Sequence, residues 1–234
     1  MADFLEMSSV WGVVLTLVVF AGAVWINRKT GAAWCNPLLL SSIFIIVFLT
    51  LAQIPYANYR SSVEIIHYLL FPATVSLAIP LYEQWQLLKE NALAILAGIA
   101  AGVVTSLVSI LLLGFLFRLE PELIVTLLPK SVTTAIGMDV SMELGGLASL
   151  TSAVIVMTGI LGNLMAQSIC KIFHLTNPIA RGVAIGTSSH AIGTARALQM
   201  GPVEGAMSSL SIAVAGILTA LLCPLLAPLL YAIG

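Results

Sequence analysis

Leu128-Pro-Lys-Ser-Val-Thr-Thr-Ala-Ile-Gly-Met-Asp139 places a lysine, three hydroxyls and a carboxylate in a chain with very little other polar material. Of its 234 residues, 60% are hydrophobic and only 8% charged, and the mean hydropathy is +1.10. A soluble domain carries about 25% charged residues, so this composition could not cover a water-exposed surface. The chain is therefore read as an integral membrane protein. In lipid, an irregular polar stretch is tolerated only where protein buries it or water reaches it. That requirement decides the fold, because the pattern occurs twice. Ser131-Val-Thr-Thr-Ala-Ile-Gly137 aligns with Thr187-Ser-Ser-His-Ala-Ile-Gly193 at an offset of 56 residues. The apolar helices that follow, from Thr151 and from Ser208, keep nearly the same spacing.

Working outward, stretches of roughly 20 apolar residues each suffice for a span. Val10–Ile26, Pro37–Ile54, Ile65–Leu81, Ala92–Phe117, Leu147–Ile169 and Met207–Ala232 supply six. The first carries Asp3 and Glu6 rather than a basic flank, so it is expected to remain in the protein and not to be cleaved as a signal peptide. Leu123–Met142 and Ile179–Leu198 are broken by glycines, hydroxyls and charges. If the first of these dips into the membrane and returns, Arg28, Lys29, Lys89, Lys171 and Arg181 fall inside and only Arg60 and Arg118 outside. That distribution obeys the positive-inside tendency and puts the N-terminus outside. The expectation is an all-α polytopic protein with about six transmembrane helices and two re-entrant or discontinuous helical hairpins in an inverted repeat. Residues 1–122 form N-terminal scaffold and dimerisation spans. Residues 123–234 form a core of two related units, 123–173 and 179–234. Secondary transporters are commonly built this way. Two full crossings unwound in the middle are the alternative.

Charged side chains at membrane depth mark binding sites or pathways by default. Hydroxyls before Ala-Ile-Gly suggest N-caps of half-helices, whose free N–H groups attract anions. The candidate substrate-binding residues are Lys130, Ser131, Thr133, Thr134, Asn163, Thr187, Ser188, Ser189, His190 and Arg196. His190, Asp139 and Glu204 are the candidates for ion or proton coupling, His190 because imidazole titrates near neutral pH. Two cations and two dipole ends suit a small carboxylate. Each residue also has a plainer role: Lys130 snorkelling to the interface, Arg196 paired with Glu204, His190 hydrogen-bonded in a core. Gly98-xxx-Gly102 and Gly182-xxx-Gly186 offer faces for close helix packing, in keeping with a homodimer. Cys35, Cys170 and Cys223 lie far apart and suggest neither a disulfide framework nor a metal site. No cofactor, nucleic-acid or enzyme motif is present, and a net charge of −1 leaves no basic stripe for phosphates.

At the two hairpins the chain resembles the LrgB/CidB family. The likeness rests on Leu128-Pro-Lys-Ser-Val-Thr-Thr, on Arg181-Gly…Gly186-Thr-Ser-Ser-His-Ala-Ile-Gly-Thr-Ala-Arg196, and on Pro80-Leu-Tyr-Glu-Gln84 and Glu204-Gly-Ala-Met-Ser-Ser209. It runs from about Pro37 to the C-terminus. Ala135 stands where the family usually has proline, and Asp139 where it usually has a small residue. The resemblance implies a bacterial inner-membrane protein and two functions. One is carriage of glycolate-, glycerate- or pyruvate-like carboxylates; the polar hairpins themselves are read as a carrier for such anions, lactate included, coupled to protons or sodium. The other is antiholin-like modulation of murein hydrolase activity and lysis with a small LrgA/CidA-type membrane partner.

Overall fold

A computed structural model describes residues 10–30 and 36–233, so Asp3, Glu6 and Cys35 lie outside it. Every regular element among the described residues is helical. Two compact units divide the chain, one ending at Ser76 and the other starting at Leu77. The helix from Ala92, grouped above with the scaffold, belongs to the second unit together with both polar stretches.

In the first unit, α1 (Trp11–Thr30) ends on Arg28 and Lys29, cations that suit the negative end of a helix dipole. Lys29 Nζ lies 4.2 Å over the Trp25 ring. Next comes α2 (Pro37–Leu51), started by Asn36, whose side chain accepts from the Leu38 and Leu39 amides, and by Pro37 at the first helical position. Its 15 residues fall short of a full crossing. Then α3 (Tyr56–Ser62) packs on α1 through Tyr59, which meets the Trp11 ring at 5.9 Å and shares a 2.8 Å hydrogen bond with Thr16. The apolar run that follows is split into α4 (Glu64–Tyr68), α5 (Leu70–Ser76) and, in the second unit, α6 (Ala78–Glu83). The breaks at Leu69 and Leu77 each fall three residues before a proline, Pro72 and Pro80. A proline removes the N–H that would bond the preceding turn and crowds its carbonyl.

The second unit continues with α7 (Trp85–Glu90) and α8 (Ala92–Leu116). Ile95, Ile99, Val103, Leu107, Ile110 and Gly114 are all buried on α8. Spaced at three and four residues, they form one helical face. Short α9 (Pro121–Leu127) and α10 (Thr134–Glu143) flank the first polar stretch. They are followed by α11 (Ala148–Ile172), α12 (Pro178–Met200) and α13 (Pro202–Ile233). Among the described residues, five helical runs are long and apolar enough to cross a membrane: Trp11–Thr30, Glu64–Glu83, Ala92–Leu116, Ala148–Ile172 and Pro202–Leu226.

Neither polar stretch forms a straight helix. In the first, Thr151 Oγ1 lies 3.0 Å from the Thr126 carbonyl and 2.7 Å from Ser141 Oγ. Further in, the point where Gly137 would carry a Cβ is 3.2 Å from the Pro129 carbonyl. Pairing 126 with 141 and 129 with 137 means that α9 and α10 fold back on each other around residues 128–133. In the second, α12 is broken at His190, where φ is 43° and ψ −143°. Near its start, Arg181 meets Glu204 at 3.6 Å; near its end, Leu198 packs on Gly205. Both ends of α12 therefore return to the beginning of α13. Its arms of 12 and 10 residues are about 18 and 15 Å long, too short to span a bilayer.

Candidate functional site

The two hairpins approach each other along α8. Starting from the Ala92 end, the missing side chain of Gly98 leaves room for Val183, and that of Gly102 for Thr187, at 3.3 and 2.7 Å from the absent Cβ positions. Ser106 then shares a 3.4 Å contact with Ser131 Oγ. Nearer the Leu116 end, Gly114 accommodates Ile124. The α12 hairpin thus rises from one end of α8 and the α9–α10 hairpin from the other, and their tips meet beside residues 102–106.

A cavity of about 610 Å³ lies at this meeting point. It begins at Asn91 and Asn177, passes Ala94, Gly98 and Val183, and ends at Ser106, Lys130, Ser131, Thr187 and Ser188. Lys130 Nζ donates to Ser131 Oγ at 2.8 Å. Ser188 Oγ is 3.0 Å from Ser189 Oγ, so it too has a partner. Thr187 is different. It is 5% exposed, and its hydroxyl has no hydrogen-bond partner among the described residues. A buried hydroxyl without a partner costs free energy.

Of the residues picked out in the sequence, Lys130, Ser131, Thr187 and Ser188 line this cavity. Thr133 stands at the start of α10 but its side chain makes no capping bond, and Thr134 is the helix's first residue. Thr187, Ser188 and Ser189 occupy the last turn before the break and not the first turn after it. The expected hydroxyl caps are therefore absent from both tips. Ser189 is buried in the notch left by Gly162. His190 is buried and places Nε2 3.0 Å from the Ile155 carbonyl. A ring nitrogen facing a carbonyl must carry the hydrogen, which fixes the tautomer. Asn163 Nδ2 donates to the Ile192 carbonyl at 2.7 Å, engaging a backbone group beside the break. Arg196 bonds Gln167 and Gln199 away from the cavity. Glu204 pairs with Arg181 and not with Arg196. Asp139 is exposed on α10.

Sequence reasoning missed the third wall. Gly98 and Gly102 were read only as a contact face, yet they both seat the α12 hairpin and line the cavity. Gly182 and Gly186 pack within the chain, against Glu204, Met207, Ser208 and Ser211. The two repeats also hold each other. Gly159 on α11 packs against Ile192 of the second hairpin, and Gly216 on α13 against Ile136 of the first.

Apolar spans with two broken hairpins meeting at a cavity define a multi-pass, all-helical membrane protein. Residues 16–229 match the LrgB-like family, and the chain belongs to it. No solved structure matches it.

Proposed function

We propose that the chain is a secondary carrier of small carboxylate anions in a bacterial inner membrane, driven by a proton or sodium gradient. The observation that carries this reading is that Lys130 and Thr187, whose hydroxyl has no hydrogen-bond partner among the described residues, line the same cavity. An ammonium supplies a point charge for a carboxylate, and a free hydroxyl donates to it or to a neighbouring oxygen. Opposed hairpins linked by matched contacts support an inverted repeat, which alternating access uses. Arg196, occupied by two glutamines, serves to tie the second arm of α12 to α11.

Uptake of labelled glycolate and pyruvate into proteoliposomes, with and without an imposed pH gradient, tests the proposal. Saturable uptake is expected. Lys130→Met should weaken it about 10- to 100-fold through loss of a charged hydrogen bond, while Arg196→Gln leaves most of it. No uptake, alone or with a small LrgA/CidA-type partner, would sink the carrier reading and favour a modulator of murein hydrolases.

A further inference from the structure

The cavity lines only part of α8. Its lining on α8 runs from Asn91 to Ser106 and stops there. Beyond that point Leu107, Ile110 and Gly114 join Ile124, Val125 and Leu128 in continuous buried packing. Behind this apolar seal sit three fully buried hydroxyls, those of Thr126, Ser141 and Thr151. They bind α9, α10 and α11 together. Thr126 Oγ1 accepts from the Leu147 amide at 2.9 Å, and Thr151 Oγ1 reaches the Thr126 carbonyl and Ser141 Oγ.

We infer that this trio is a lock holding the first hairpin shut, so that the anion site is reached only from the end at which α8 begins. The inference rests on the carrier reading for its purpose. What makes the trio a lock and not fixed packing is that the two threonine hydroxyls have partners to return to. Thr151 Oγ1 also lies 3.1 Å from its own helix's Leu147 carbonyl, and Thr126 Oγ1 donates to the Glu122 carbonyl at 2.6 Å. If the hairpin leaves, neither threonine hydroxyl is stranded, so release is spared the penalty for an orphaned donor at these two groups. The second repeat differs: Thr194 Oγ1 meets Ser208 Oγ at 2.7 Å, but its carbonyl partner, that of His190 at 2.9 Å, lies on the hairpin itself. Thr151 and Ser208 are the residues at which the two related long helices begin their shared pattern.

The test uses the full-length protein in oriented membrane vesicles, with Cys35, Cys170 and Cys223 replaced by alanine and Ser188→Cys as the reporter. A membrane-impermeant maleimide is applied from each face in turn. Modification is expected only from the face at which α8 starts. Thr151→Val should raise modification from the opposite face about three- to tenfold, the range expected for losing one buried hydrogen bond. Thr151→Ser should restore one-sidedness. Should Thr151→Val fail to give a monodisperse protein, Ser141→Ala removes one acceptor without adding volume. Equal labelling from both faces with the lock intact would overturn the inference. So would unchanged one-sidedness in the folded valine or alanine variant. Because labelling needs no substrate, these outcomes are independent of uptake, which alone decides the carrier reading.

Discussion

His190 shows how a single residue shapes the site without lining it. Its φ of 43° with ψ of −143° belongs to a region that only glycine enters freely, at a cost of about 1–3 kcal/mol for a side chain. The residue is held there by its ring, which donates to Ile155 and fills the space left by Gly159. Its own carbonyl accepts from Thr194. The consequence is a turn that sets Thr187 and Ser188 on the cavity wall. Strain and tether can be separated. His190→Leu keeps the strain and loses the tether, whereas His190→Gly loses both. The glycine variant should therefore be more stable than the leucine variant by about 1–3 kcal/mol, read from thermal unfolding in detergent. Equal stabilities would mean the backbone at 190 is not under strain. The sequence identified His190 as important but not why, since a ring tethered to a carbonyl 35 residues away leaves no local signal.

At the level of elements, the small residues of α8 decide how closely the second hairpin approaches. A Cβ at Gly98 would sit 3.3 Å from Val183, a gap that a slight shift accommodates; at Gly102 it would sit 2.7 Å from Thr187 Cγ2. Gly98→Ala should then be nearly neutral, and Gly102→Ala should cost about 1–3 kcal/mol as overpacking while displacing Thr187 and reducing uptake. Melting temperatures and uptake for the pair decide it, and indistinguishable variants would show that the hairpin is not seated on Gly102. Helices and breaks were legible where the physics is local. The hydroxyl-rich repeat announces both hairpins. The hydroxyl lock was not, because Thr126, Ser141 and Thr151 follow no helical period and come together only after the hairpin folds back. The same holds for the Arg181–Glu204 ion pair. Its two members are 23 positions apart in sequence and meet only because α12 doubles back on itself.

For the whole of the second unit, the significant feature is exchange between its repeats. Ile136 and Ile192 stand 56 residues apart, the glycines that receive them 57 apart, and each glycine belongs to the other repeat. A hairpin is therefore gripped by its own long helix through hydroxyls and by its counterpart's through a glycine notch. Crowding one notch should disturb one hairpin only. A Cβ at Gly216 would lie 3.1 Å from Ile136 Cδ1 and bear on the sealed hairpin; a Cβ at Gly159 would lie 2.9 Å from Ile192 Cβ and bear on the one beside the open cavity. Packed interfaces shift between discrete arrangements more readily than they deform. Gly216→Ala should accordingly admit maleimide to Ser188→Cys from the far face, as Thr151→Val does, and Gly159→Ala should not. Labelling both variants from both faces measures this. If the two alanines shift accessibility alike, the repeats act as one block, and the matched contacts serve packing alone.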